Sequence, residues 1–385
     1  MKDYSFYKGK EQTYLKHLVL ENYLERLSWI IGFGSDYGKI CYVDGFSGPW
    51  KSGSEDYGDT SIRISLDILA KTKGGLQERG KSVKFKCIFV EKEEEQFNEL
   101  KSILMHHPRS GIEAHPLHGE FEDLIDEVLS KAEGFFTLFF IDPSGWTGYG
   151  LKKIARIVSR PNSEVLINFM FDYINRFLKP HIDQSIARSF DDLFGDTGWR
   201  GQIPEGQGRE DAILSYYKEC LRKIGGYQYV INTPILKPTE DRTYYHLIYA
   251  THHHKGLRTF KEVEAKMQPQ QQRIRKEAIY EKELSRTGQE SLFGSQIVDT
   301  ESTYIRHRSR KLIELERLLE EMLHYQPTFS FMDFLLRALL IEKVYEKDAK
   351  DLIVQARKDG RIKIPNWEKY QKKPNDNSII QRKSS

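Results

Sequence analysis

The chain has 385 residues, 39% of them hydrophobic and 30% charged, which excludes wholesale disorder and is more length than one ordinary domain needs. The 59 Lys and Arg stand against 56 Asp and Glu, a formal charge of +3 that is too small to mark the whole chain as a polyanion binder, so charge has to be read locally. No apolar leader opens the sequence and no stretch reaches the roughly 18 apolar residues of a membrane span. Cys41, Cys87 and Cys220 form neither a CxxC pair nor a zinc spacing, so a cytosolic chain with reduced thiols, no metal and no membrane contact is expected.

Over residues 11–31, Tyr14, Leu15, Leu18, Leu24 and Leu27 recur at largely helical spacing, and the helix ends at Gly32-Phe33-Gly34. A first strand over 39–43 runs into Asp44-Gly45-Phe46-Ser47-Gly48, followed by a Gly- and Ser-rich loop and a helix over 61–71. Strands over 83–90, 112–117, 135–141 and 164–170 then alternate with helices over 93–105, 122–131 and 151–158. Such alternation predicts an α/β fold with a doubly wound parallel sheet. Residues 172–224 interrupt it as a helical insertion, with helices over 181–194 and 210–223 around a Gly-rich loop at 195–208. Runs at 227–232 and 243–250, joined through Pro234 and a turn at 237–241, read as a closing antiparallel pair.

From residue 268 the composition turns polar, which sets a linker at 268–303 between a domain over 1–267 and a small mainly helical C-terminal domain over 304–385. That tail reads as helices over 310–323, 332–340 and 346–358, then a strand over 361–365. It fits a small winged helix or plain helical packing.

Asp142-Pro143-Ser144-Gly145 follows the apolar run 135–141, where ligands of open α/β sheets bind. A stiff turn of this kind can aim an acid and a carbonyl at a polar nucleophile, or merely end a strand. Asp44, Glu91, Glu120 and Asp142 each fall at or just past the end of one of the first four strands. Glu91 there suits a pair of ribose hydroxyls, Glu120 and Phe121 an adenine, and Gly45, Phe46 and Gly48 a close backbone approach to a cofactor. First-turn acids of helices offer a plainer account of Glu91 and Glu120. Neither a G-x-G-x-x-G nor a G-x-x-x-x-G-K-[ST] motif is present, which disfavours nicotinamide and nucleotide triphosphate sites. Only His252 and His254 of the His252-His253-His254 run share a strand face, with no third ligand for a metal. Basic runs lie at 273–276 and 306–311 and read as phosphate contacts or as solvated helix faces.

These features together resemble the class I S-adenosylmethionine-dependent methyltransferases. More narrowly, Lys16-His17, the run from Tyr42 to Gly48, Phe140 to Gly145, Ile167-Asn168-Phe169 with Asn175-Arg176, and Tyr244-Tyr245 resemble the three-Cys-motif partner protein family over about the first two-thirds of the chain. The resemblance implies a Rossmann-like seven-stranded sheet, parallel but for an antiparallel closing strand, and S-adenosyl-L-methionine as cofactor. It implies Lys16, Asp44, Gly45, Phe46, Gly48, Glu91, Glu120, Phe121 and Asp142 at that cofactor, and Asp142, Pro143, Ser144 and Trp146 at the reacting group. Ser144 stands where the family more often has an aromatic, with Trp146 or Tyr149 as its replacement. Tyr149, Asn168 and Arg176 are then expected at the substrate. A three-Cys-motif protein is the partner so implied. Methylation of an amino group of nucleic acid, DNA or RNA, is the expected function, and a cofactor-binding scaffold that acts with a protein partner is the alternative.

Overall fold

The computed structural model describes residues 4–34, 37–48, 57–107, 111–179, 182–287 and 300–383. Two compact units part between Thr259 and Phe260. The first opens with α1 (Glu11–Gly34) and β1 (Tyr37–Asp44), then α2 (Ser61–Gln77), β2 (Ser82–Glu91), α3 (Glu94–His106), β3 (Glu113–His118), α4 (Ile125–Lys131) and β4 (Phe136–Ile141). It continues through α5 (Ala155–Val158), β5 (Ser163–Phe169), α6 (Phe171–Phe177), α7 (Gln184–Phe194), α8 (Trp199–Gln202), α9 (Arg209–Gly225), β6 (Tyr229–Leu236) and β7 (Thr243–Thr251).

The seven strands form one sheet in the order β3-β2-β1-β4-β5-β7-β6. Strands β1 to β5 pair in parallel, and β7 runs antiparallel to both neighbours. This is the strand order of the class I methyltransferase sheet, as expected. The central strands are legible because helices cover both faces: every residue of β5 is buried, and all of β4 after Phe136. Proline marks the two edges, Pro116 in β3 and Pro234 in β6, where a missing N–H costs no ladder bond. For that reason β6 runs on through Pro234 to Leu236 instead of ending at the expected joint. The Gly-rich loop of the insertion also holds the short α8, and α5 occupies only the last turn of its expected helix.

The second unit carries most of α10 (His254–Thr287), which begins in the first. Then come α11 (Thr300–Tyr325), β8 (Thr328–Ser330), α12 (Phe331–Ala338), α13 (Glu346–Lys358), β9 (Ile362–Lys363) and β10 (Ile379–Arg382). Much of the stretch read as a linker is therefore helix: 268–287 continues α10 through Pro269, while 288–299 lies outside the described residues. Glutamine is a good helix former, so a polar Gln-rich run does not end a helix. Three small strands form an antiparallel sheet with β10 in the middle, two of them too short for a period-2 pattern to show. Leu319, Phe334, Leu335, Ile353 and Ile380 supply this unit's core.

One polar node ties α1 to the sheet. Glu164 at the start of β5 is buried and accepts hydrogen bonds from the Tyr23 hydroxyl at 2.5 Å and the Thr251 hydroxyl at 2.8 Å, and the Tyr249 hydroxyl lies 2.5 Å from that of Tyr23. Burial pushes the Glu164 carboxyl pKa up. Removing the acceptor takes a buried partner from the Tyr23 and Thr251 hydroxyls, whereas the amide isostere keeps most of these bonds. Glu164→Ala is therefore expected to cost about 2–4 kcal/mol and Glu164→Gln about 1 kcal/mol in urea denaturation. Equal losses would show that the node does not act through its hydrogen bonds.

Candidate active site

The carboxyl ends of β1, β2, β4 and β5, with α1 and the segment before it, line a cavity of about 570 Å³, a usual size for a small-molecule site. Lys16, Gly45, Phe46, Gly48, Glu91, Glu120, Phe121, Asp142, Pro143, Ser144 and Asn168 all face it. These residues lie far apart in sequence, and the parallel strands deliver them to one rim.

The loop after β1 is stapled to both neighbouring strands: Gly45 N donates to Phe140 O at 3.0 Å, and Ser47 N to Val90 O at 2.8 Å. A Cβ on Gly45 would come within 3.1 Å of the Phe121 ring, so glycine is what lets that ring close on the loop. Asp44 corrects the sequence reading. It is fully buried behind the lining rather than in it. Its carboxylate accepts from Phe46 N at 3.1 Å and from the Ser61 hydroxyl at 2.7 Å, so it knits the loop to the start of α2. Burial pushes its pKa up to about 6, against the pull of the Ser61 and Phe46 hydrogen bonds.

Glu91, the last residue of β2, is 4% exposed and accepts from Glu93 N at 2.8 Å; burial is the main cause of its raised pKa. Glu120 is exposed and lies 3.4 Å from the Lys92 ammonium. Phe121 is buried and packs on Phe46 with ring centroids 5.8 Å apart.

Asp142 is held from two sides. The Lys16 ammonium lies 2.5 Å from Oδ2, and Asn168 donates its Nδ2 to Oδ1 at 2.7 Å. Lys16 thus faces the cavity with its charge spent on the turn after β4. Asn168 is 3% exposed, and its Oδ1 has no hydrogen-bond partner among the described residues. A carboxylate facing Nδ2 fixes the amide's polarity, because the flipped amide would set oxygen against oxygen.

Trp146 and Tyr149 are the second correction, since neither faces the cavity. Trp146 packs on Phe177 and Phe190 and donates its indole N–H to the Ser189 hydroxyl at 2.9 Å. Tyr149 is fully buried in the core beneath the insertion. The apolar faces of α6 and α7 claim the Trp146 ring and the core claims that of Tyr149, and sequence spacing cannot show on which side of the turn a ring falls. Arg176 also lies off the lining, 59% exposed and over the Tyr173 ring.

The aromatic wall comes from Tyr173, Tyr244 and Tyr245, none of which sequence reasoning gave a role. Tyr245 donates its hydroxyl to Gln12 O at 2.5 Å. Beside this wall Arg176, Lys237 and Arg242 converge on the one carboxylate of Asp172. Tyr7, His17, Asp59, Thr60 and Ser61 line the cavity too. Of these His17 stood in the Lys16-His17 pair of the family resemblance, and Thr60 caps α2. His252 stacks on Tyr227, and among the described residues no cluster of three or more His, Cys, Asp or Glu is placed to hold a metal ion. No helix among them is long and apolar enough to cross a membrane.

No family model matches the chain, and no curated protein matches it. Among solved structures it is similar to a protein from Legionella pneumophila, 12% identical over 62% of this chain and 84% of that one, with a TM-score of 0.32. An O-methyltransferase from Bacillus cereus in complex with SAH is 15% identical over 65% and 91%, with a TM-score of 0.33. A loganic acid methyltransferase with SAH is 10% identical over 100% and 98%, with a TM-score of 0.29. Scores this low carry no weight for what this chain binds or does, and the fold rests on its own strand order.

The buried Asp44 makes stability depend on pH. Between pH 4 and about 6 the folded chain keeps a proton that the unfolded chain releases, so stability falls as pH rises through that window. The loss is expected to be about 2–3 kcal/mol, and Asp44→Asn is expected to remove it. Urea midpoints of both proteins across the window check this, and parallel pH dependences would sink it.

Proposed function

We propose that the chain is an S-adenosylmethionine-dependent methyltransferase acting on an amino group of nucleic acid, in line with its resemblance to the three-Cys-motif partner proteins. One observation carries the reading: a single cavity receives Gly45 and Gly48 from the end of β1, Glu91 from β2, Glu120 and Phe121 from β3, and Asp142 and Pro143 from β4. The donor set fits the cofactor. Glu91 has an oxygen besides the one that holds Glu93 N for the ribose hydroxyls, Phe121 and Glu120 suit the adenine, and Gly45 and Gly48 put no side chain at the methionine end. When bound, the cofactor would supply an electrophilic methyl carbon on a sulfonium sulfur.

The remaining work falls to the chain's own groups. Asp142 and the Pro143 carbonyl would accept hydrogen bonds from the acceptor's N–H groups, and Asp142 would take the proton that the nitrogen sheds. Holding the acceptor still and dry is the main source of acceleration open to such a site. Tyr173, Tyr244 and Tyr245 would supply the ring contacts that Ser144 lacks, with Arg176, Lys237 and Arg242 beside them for phosphates.

Calorimetric titration of the intact chain with S-adenosylhomocysteine and with NAD tests this, with heat expected from the first alone; the reverse result ends the reading. Asp142→Ala is expected to keep the S-adenosylhomocysteine affinity and to lose methyl transfer by about 100-fold or more. A second reading has its own support, because Lys16 and Asn168 already engage both Asp142 oxygens. In that case the chain is a cofactor-binding scaffold for a protein partner. It then binds S-adenosylhomocysteine yet leaves no label on DNA, RNA, total protein or small-molecule extracts.

A further inference from the structure

We propose that the second unit is a winged-helix module that binds duplex DNA through α13 and the loop between β9 and β10. The inference deepens the nucleic-acid part of the function proposed above and does not depend on methyl transfer itself. Its elements run α11, β8, α12, α13, β9, loop, β10, with β10 between β8 and β9 in the sheet, which sets a solvent-facing helix beside a long hairpin loop.

Charge gathers on that loop and its strands. Residues 360–383 hold seven Lys and Arg against two acids. Arg361 is spent on Glu316 and Glu320 of α11, and Lys373 lies 2.7 Å from Asp351 of α13. That last pair places the loop against the helix and neutralises the acid on the helix's exposed face. Lys363, Lys369, Lys372 and Arg382 stay exposed with no ion pair among the described residues. Lys347, Gln355 and Lys358 are exposed on α13, with Lys347 and Lys358 flanking Asp351 on one helical face. The surface is therefore cationic where the chain as a whole is nearly neutral.

The loop is also built to stay in place. Asn366 spans its two ends, donating to Asn377 O at 2.7 Å and accepting from Ile379 N at 2.9 Å. The Arg357 guanidinium lies 4.5 Å over the Trp367 ring, and Pro374 and Ser378 are buried. Lysines on a preformed loop lose less freedom on meeting phosphates than lysines on a loose one.

The shape selects the ligand. A 13-residue helix, about 20 Å long, fits the major groove of B-form DNA while a neighbouring loop reaches the backbone. The major groove of A-form RNA is too narrow to admit it. Tyr370, 85% exposed, is the large ring the loop offers to solvent, which is poor provision for stacking a single strand.

Fluorescence anisotropy of the full chain with a labelled duplex of about 20 mixed base pairs tests this, at about 50 and 200 mM salt. The same sequence as duplex RNA and as single-stranded DNA serves for comparison. Duplex DNA is expected to bind tightest, with affinity falling steeply as salt rises. The double variant Lys369→Glu/Lys372→Glu removes about two phosphate contacts, so the log–log salt slope should flatten by about 2 and affinity at low salt drop about 30-fold. Lys347→Glu should weaken binding as well. Unchanged S-adenosylhomocysteine titrations and thermal melts of these variants show that both units remain folded, and they separate a failure here from a failure of the methyltransferase reading. No duplex binding at low salt, preference for RNA or single strands, or variants that bind like the parent would each overturn the proposal.

Discussion

The sheet turns around β1, and the site exists because of that constraint. With β2 on one side and β4 on the other, the chain leaves β1 toward one edge of the sheet and later returns to build the other. Crossovers on either side of the reversal go to opposite faces, so a crevice opens above the carboxyl end of β1. An open crevice needs a floor. The loop after β1 provides one because its backbone bonds to β4 and β2 at once, through Gly45 and Ser47, and because Asp44 beneath it binds Phe46 N and Ser61. A carboxylate this deeply buried is costly, and the hydrogen bonds that offset the cost are the ones that shape the loop.

The Lys16–Asp142 pair works differently. Both side chains keep some solvent contact, 12% and 16%, so the pair contributes less stability than a buried one of the same length would suggest. Its value is positional, since it pulls α1 over the turn after β4 and so forms one wall of the cavity. The same helix is anchored underneath by Tyr23 on Glu164, at the opposite end of the neighbouring strand. Two polar contacts 126 and 141 residues apart in sequence thus set one helix against the sheet.

How much of this was legible follows from what sequence can encode. Strands buried on both faces announce themselves as apolar runs, and the acids and glycines that end them mark the rim, so the sequence pattern alone carries Gly45, Glu91, Glu120, Asp142 and Asn168 to the strand ends that line the cavity. Depth is not encoded in that way. Asp44 and Glu91 are alike in sequence, each an acid ending a strand, yet one lies behind the wall and the other in it. The difference comes from Ser61 and Phe46, which turn one of the two inward. Rings fail for a related reason. Trp146 and Tyr149 follow the turn closely enough to face the cavity, but an aromatic buries against the largest apolar surface in reach, and the insertion helices supply it. Tyr244 and Tyr245 fill the gap from β7, a strand whose partner is known only once the sheet is closed.

Asn168 shows how a strand end can fix the acid of a neighbouring turn. Its Nδ2 faces Asp142, so the carbonyl oxygen is the end left over, and that oxygen is buried without a partner. An orphaned acceptor of this kind costs about 1–3 kcal/mol until something donates to it. Closed off from solvent as it is, the oxygen leaves that cost on the fold, where the bond from Nδ2 to Asp142 offsets it. Lys16 completes the arrangement, because its ammonium takes Oδ2 and leaves Oδ1 to the amide. The orientation of Asp142 at this end of the cavity therefore rests on one residue from α1 and one from β5, and it requires no contribution from Ser144.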